Sequence, residues 1–174
     1  MRKLYLLIIP ITMLSYNLRA QSGSVTDLDW IIGEWEGANI GLRNDGSGIY
    51  DTIRDVSVNV RKAFGGFGHI VDWYSPEGDY WGSSVRTYNS AHGFWLERWF
   101  NINKGEWNDE HKLNWRNNQL IMTSDAEKDQ FGIYAVKRIH TYDEATQVYR
   151  YKNLRKYEGS TQWMLVDSFV LKKK

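Results

Sequence analysis

Arg86, Glu97 and His69 are the side chains of this sequence best suited to do chemistry, and each stands among large rings. In the segment 83–88, Ser84, Arg86 and Tyr88 share one face if the backbone is extended, because successive side chains of a strand point to opposite sides. Turned inward, the planar guanidinium of Arg86 can anchor an anion or a carbonyl; it can equally pair with an internal acid. In the segment 94–102, Trp95, Glu97 and Trp99 share a face, and Glu97 can hydrogen-bond a polar ligand group or remain a surface carboxylate beside Arg98. His69 and Trp73 share a face with Val71 between them, so His69 is either a cavity donor, a metal or haem ligand, or a structural residue.

Other chemistries find little support. There is no cysteine, hence no thiol nucleophile and no disulfide framework. No G-x-S-x-G elbow or H-E-x-x-H helix motif occurs. The run Asp109-Glu110-His111 sends successive side chains to alternate faces when extended, which is poor geometry for one zinc ion. Glu34 with Glu36, and Asp27 with Asp29, read as solubilising pairs on exposed edges. No metal site is expected, and the catalytic residues, if any, are not identified by the sequence.

The N-terminus reads as a secretory leader over residues 1–20, with Arg2 and Lys3 before a mostly apolar stretch and Leu18-Arg19-Ala20 as a cleavage site. That run is too short to span a bilayer. Without Arg2, Lys3 and Arg19, the 22 basic residues fall to 19 against 21 acidic ones, a formal charge of −2. No concentrated basic face suggests a nucleic-acid partner, and Lys172-Lys173-Lys174 is a short tail. The expected destination is the periplasm or the exterior of a Gram-negative bacterium, with no integral membrane segment once the leader is gone. The remaining roughly 150 residues suit one domain, 25–174.

Along that domain the apolar period is two. Val56, Val58 and Val60 alternate with polar neighbours, and further extended runs are expected at 68–74, 80–88, 94–102, 106–115, 120–124, 130–142, 147–157 and 162–171. Asn44-Asp45-Gly46, Gly65-Gly66, Ser75-Pro76-Glu77-Gly78, Lys104-Gly105, Asn117-Asn118 and Glu158-Gly159-Ser160 punctuate them. No sustained helical period appears. The pattern predicts an all-β antiparallel barrel or sandwich of about ten strands, preceded by a short turn or helical lead-in at Trp30-Ile31-Ile32.

The stretch Gly33-Glu34-Trp35-Glu36-Gly37, opening a series of antiparallel strands, resembles the start of the calycin barrels: lipocalins, fatty-acid-binding proteins and nitrobindin-like proteins. Arg86-Thr87-Tyr88-Asn89, the spaced Trp95 and Trp99, and Gly159 leading to Thr161-Gln162-Trp163 are similar to a bacterial calycin-like family without an established activity. The resemblance implies a single calycin-like barrel with Trp35 across its closed end, and it turns Trp95 and Trp99 inward. Hydrophobicity argues the opposite, since Phe94, Leu96, Arg98, Phe100 and Ile102 form the more apolar face. Two departures stand out: Asn89 replaces an acid, and Lys172 replaces a terminal arginine, so arginine stacking over the tryptophan is in question. Nitrobindin-like barrels hold haem through a late histidine; here the one late histidine is His140, on the face of Tyr134, Val136 and Arg138, without a haem signature around it.

Three functions follow from these readings. The first is a carrier or sensor binding a small hydrophobic or aromatic molecule in a cavity lined by His69, Trp73, Arg86, Tyr88, Trp95, Glu97 and Trp99. The second is a barrel enzyme, an isomerase, cyclase or hydrolase using His69, Glu97 or Arg86. The third is a carbohydrate- or protein-interaction module whose Tyr80, Trp81 and Trp107 are exposed. The carrier is the expectation adopted, with no cofactor.

Overall fold

The period of two carries through to the backbone. The computed structural model describes residues 23–174, so the leader expected at residues 1–20 lies outside the described residues. A 3-10 turn at Asp29–Ile31 precedes β1 (Gly33–Leu42), β2 (Tyr50–Ala63), β3 (Gly68–Tyr74), β4 (Tyr80–Asn89) and β5 (Phe94–Asn101). The second half comprises β6 (Glu106–Trp107), β7 (His111–Arg116), β8 (Gln119–Asp129), β9 (Gly132–Asp143), β10 (Val148–Tyr157) and β11 (Met164–Lys173).

Each strand except β6 pairs antiparallel with the one after it, and β11 returns to β1. β6 and β7 follow one another along the same edge of β5, so the circuit is a closed ten-strand antiparallel barrel with the brief β6 beside it. Closure leaves no long unpaired strand edge. The fold class is therefore as expected. Two strands differ from the sequence reading. The expected strand 106–115 is interrupted at 108–110, where the Asn108 N–H donates to the Trp99 carbonyl at 2.8 Å and holds the chain to β5 without a regular ladder. The expected strand 120–124 runs on to Asp129, past an irregularity between Ser124 and Glu127. Its later residues are polar because that end of the strand is wet, which hid them from an apolar count.

One end of the barrel is plugged. The segment before β1 folds under it, and Leu28 and Ile31 are fully buried against Val58, Val60, Val71, Leu113, Leu120 and Leu171. Trp35 points inward with no exposed surface, and its Nε1–H donates to the Ile31 carbonyl at 2.7 Å. Its ring meets Tyr142 and Tyr149 edge-on at 5.9 Å each. Burying such a ring contributes about 3 kcal/mol, and the bond to Ile31 fixes the plug's angle.

The two glycines flanking Trp35 have separate reasons. Gly33 takes φ of 125° at the sharp entry to the strand, which a side chain would resist. Gly37 lies where the backbone of β11 crosses: a Cβ there would stand 2.0 Å from the Val170 carbonyl oxygen and 2.9 Å from Leu171 Cα. The terminal cation is also settled. Lys172 pairs with Glu36 in register on the outer face, whereas Lys173 pairs with Trp35 and lays its Nζ 5.6 Å from the ring centroid. The lysine over the tryptophan is thus Lys173, one residue later than the sequence comparison placed it. An ammonium supplies a cation–π contact there without the flat stacking of a guanidinium.

Gly37→Ala is expected to cost about 3 kcal/mol, the upper end of overpacking, because the obstruction is backbone. Urea unfolding with the wild-type slope and a lowered midpoint is the expected record; an unchanged midpoint would show that β1 and β11 can part without loss.

Candidate functional site

Above the plug the interior becomes polar. Arg86 on β4 and Glu97 on β5 are direct cross-strand partners, and Arg86 Nε donates to Glu97 Oε1 at 2.7 Å with the two residues only 2% and 6% exposed. The hydroxyl of Tyr149 on β10 borders the same space close to the guanidinium, within reach of its charge. In the ten-strand circuit β10 lies diametrically across from β4, so the two side chains approach each other from opposite walls. Tyr149 in turn meets Nδ1 of His140 on β9 at 2.7 Å. Glu97, Arg86, Tyr149 and His140 thus form one chain of polar contacts across the lumen.

This chain is the floor of a cavity of about 260 Å³. Trp73, Trp81, Trp99, Tyr151 and Phe169 supply its apolar walls, and Ser84, Arg138, Asn153, Asp167 and Asn108 its other polar groups. Trp73 and Phe169 rest on each other with centroids 4.4 Å apart. Asn108 is exposed, which marks the side where the cavity meets solvent. Asn153 Nδ2 donates to Asp167 Oδ2 at 2.8 Å. Among the residues lining this cavity, Arg138 Nε, His140 Nε2 and Asn153 Oδ1 are buried without hydrogen-bond partners; elsewhere among the described residues the same holds for Trp30 Nε1, Trp95 Nε1 and both ring nitrogens of His69.

Of the residues singled out from the sequence, Arg86, Glu97, Trp73 and Trp99 line this cavity. Trp95 is inward and fully buried but lies below the floor, where His69 stacks on it at 5.3 Å and Tyr88 meets it at the same distance. The Tyr88 hydroxyl donates to the Gly23 carbonyl, tying the N-terminal segment to β4. His69 lies 3.8 Å from Asp29 of the 3-10 turn and faces the plug. These three belong to the packed storey. The conflict on β5 resolves with Trp95, Glu97 and Trp99 inside. The outward Phe94 is covered by Lys112, whose Nζ is 4.0 Å from the ring, and Phe100 packs at 5.2 Å against Trp107.

Sequence reasoning did not assign Trp81, Arg138, Tyr149, Tyr151, Asn153, Asp167 or Phe169 to the cavity. Their alternation was available: Tyr149, Tyr151 and Asn153 fall on one face, as do Asp167, Phe169 and Leu171. Trp81, expected to be exposed, turns into the cavity beside an irregularity in the β3–β4 pairing between Trp73 and Tyr74. Tyr80 and Trp107 are exposed, but each leans on a neighbour at interplanar angles of 60° and 55°, so they form no flat row.

Burial and neighbouring charge set the protonation of the floor. Burial pushes the Glu97 carboxyl up, but Arg86, with His140 and Arg138 behind it, pulls it down to about 2. Arg86 is held cationic by Glu97 despite its burial. Burial lowers His140 to about 3, assisted by Arg86, and lowers His69 to about 4. Burial raises Tyr149 to about 12 and raises Asp167, the latter partly countered by its bond from Asn153. At neutral pH the floor is therefore a carboxylate, a guanidinium, a phenol and a neutral imidazole.

Haem fits this site poorly. About 260 Å³ lies below the usual range even for pockets that take drug-sized ligands. No group of three or more metal-binding side chains occurs among the described residues. No helix among them is long and apolar enough to cross a membrane. No protein-family model matches the chain, and no curated protein matches its sequence.

Two outcomes are expected from this arrangement. Arg86→Leu leaves Glu97 buried and unpaired and should cost about 3–5 kcal/mol, whereas the double change with Glu97→Leu should recover most of that loss; additive losses in urea unfolding would deny the pairing. The histidines govern the acid limb. An unfolded histidine gains its proton below about pH 6.5, while folded His69 and His140 refuse it until about 4 and about 3. The unfolded chain then binds more protons, so stability falls as pH drops from 6.5 toward 4. Glu97, ordinary at 4.5 and held at about 2, adds a further loss below pH 4.5. His69→Gln with His140→Gln should flatten the fall between pH 6.5 and 4.5, as read by unfolding midpoints; an unaltered slope would assign that fall to other groups.

Proposed function

We infer that this protein is an exported carrier or sensor of small aromatic molecules, built on a barrel of the calycin-like family. The observation that carries this reading is the lumen's division into a plugged storey and an aromatic-walled cavity above the Arg86–Glu97 floor. A protein that needed only stability would fill such a space, since interiors are normally packed to the density of organic crystals. Rings are the matching ligand surface, because Trp73, Trp99 and Phe169 present flat faces. The leader-like N-terminus supports export, and the resemblance at Gly33-x-Trp35-x-Gly37 supports the family. The tilted, individually packed Tyr80 and Trp107 weigh against an interaction module of stacked surface rings.

Trp73, Trp81 and Trp99 make the cavity its own reporter. Titration with one-ring and two-ring aromatic compounds should quench tryptophan emission saturably, and native mass spectrometry of protein from its native host should show one retained small molecule. Ser84→Trp, which fills the cavity from a buried position, should abolish both signals while the far-ultraviolet spectrum stays that of a barrel. Absence of any retained or quenching compound in the wild-type protein would overturn the reading.

A further inference from the structure

The polar side of the cavity has a definite hydrogen-bonding sense, which follows from the floor. Arg86 is a cation close to the Tyr149 hydroxyl, so that hydroxyl turns its oxygen lone pairs toward the charge and its proton toward its hydrogen-bonded neighbour, His140 Nδ1, at 2.7 Å. His140 Nδ1 is thereby an acceptor, and a neutral imidazole with an accepting Nδ1 carries its proton on Nε2. That Nε2–H is buried in the cavity wall without a partner, on a residue only 3% exposed. Arg138 precedes it by two residues on the same inward face of β9, and its Nε–H is likewise unmatched. The amide of Asn153, directly opposite Arg138 in register, is oriented by its neighbour: NH2 must face the Asp167 carboxylate, which leaves Oδ1 as an unmatched acceptor.

Two orphan donors, one of them cationic, thus stand beside one orphan acceptor. Arg86 is neutralised by Glu97, but among the described residues Arg138 forms no ion pair within 4.0 Å. Asp167 is the nearest acid by register, separated from Arg138 by Asn153 and directed to its amide. Leaving such groups unmatched costs stability, and a ligand that satisfies all three would remove that cost.

Resting on the carrier reading, we propose that the cavity selects aromatic carboxylates that also bear a ring hydroxyl or N–H. The carboxylate accepts from Arg138 Nε–H and His140 Nε2–H, the ring lies against Trp73, Trp99 and Phe169, and the ring donor serves Asn153 Oδ1. Arg138 then acts as the specificity group and the Glu97–Arg86–Tyr149 chain as the device that fixes the His140 tautomer.

Calorimetric titration with two matched series tests this: 3-hydroxybenzoate, 3-hydroxybenzamide and 3-methylphenol; and indole-3-carboxylate, indole-3-carboxamide and 3-methylindole. In at least one series the acid should bind at least about tenfold more tightly than its amide, because the bond to an ionised acceptor is the stronger one. Arg138→Gln should erase that preference. Arg138→Met, which removes a half-buried cation with an unmatched Nε–H and no ion-pair partner, should melt above the wild-type protein, so loss of the preference cannot be blamed on failure to fold. If the amides or methyl compounds bind as tightly as the acids, the anion seat is wrong while the carrier reading stands. If none of the six binds, both fall. A preference that survives in Arg138→Gln would assign the anion to Arg86 and overturn the proposal.

Discussion

The buried pair of Arg86 and Glu97 is the constraint on which the interior depends. Neither charge can be left alone where it sits, since an isolated ion in a protein interior costs several kcal/mol. Once paired along the β4–β5 ladder, the guanidinium still carries its charge to the far wall, where the Tyr149 hydroxyl lies within its reach. The level of this pair separates what is packed dry, the core cluster around Trp35 and Trp95, from the polar space above it.

Below that level the sequence behaves as an ordinary core. Trp35, Trp95, Leu113, Leu120 and Leu171 fill the end, and the 3-10 turn with Leu28 and Ile31 seals it. His69 is drawn into this storey as a ring. Its stacking on Trp95 uses its flat face, and its low proton affinity follows from burial and from Arg86 nearby. A histidine so placed is a cost at acid pH and a filler at neutral pH, which explains why it looked chemically promising in the sequence and is structural in the fold.

Most of the fold was legible because a strand's period of two survives any sequence in which one face is buried. β3, for example, runs over Gly68–Tyr74 as the alternation of His69, Val71 and Trp73 indicated. The site was legible only in part, and the reason is physical. Hydrophobic periodicity locates the inside of a dry core, but in a wet cavity the inner face is polar, so Glu97 between Trp95 and Trp99 looked like an error in the pattern. The same inversion concealed Arg138, Asn153 and Asp167, whose inward direction follows from register with Tyr149, Tyr151 and Phe169 rather than from their own polarity. Pairing partners were beyond reach as well: nothing in the spacing of residues 86 and 149 states that their strands face each other across a barrel.

Both storeys hold unmatched polar atoms, but in the lower one they belong to rings packed as apolar surface, Trp30, His69 and Trp95. Arg138 Nε, His140 Nε2 and Asn153 Oδ1 are all buried without partners within one cavity, although a native interior leaves few such groups. These three lie on adjacent strands, at neighbouring positions in the ladder, on residues that line one cavity. Apolar residues at those three positions would make a more stable barrel with an indifferent pocket. Retaining donors and an acceptor there exchanges stability for selectivity, since a binding site built from unmatched polar groups rejects ligands that cannot complete them. The closed end makes that exchange sustainable, because its dry packing supplies the stability that the polar storey gives up.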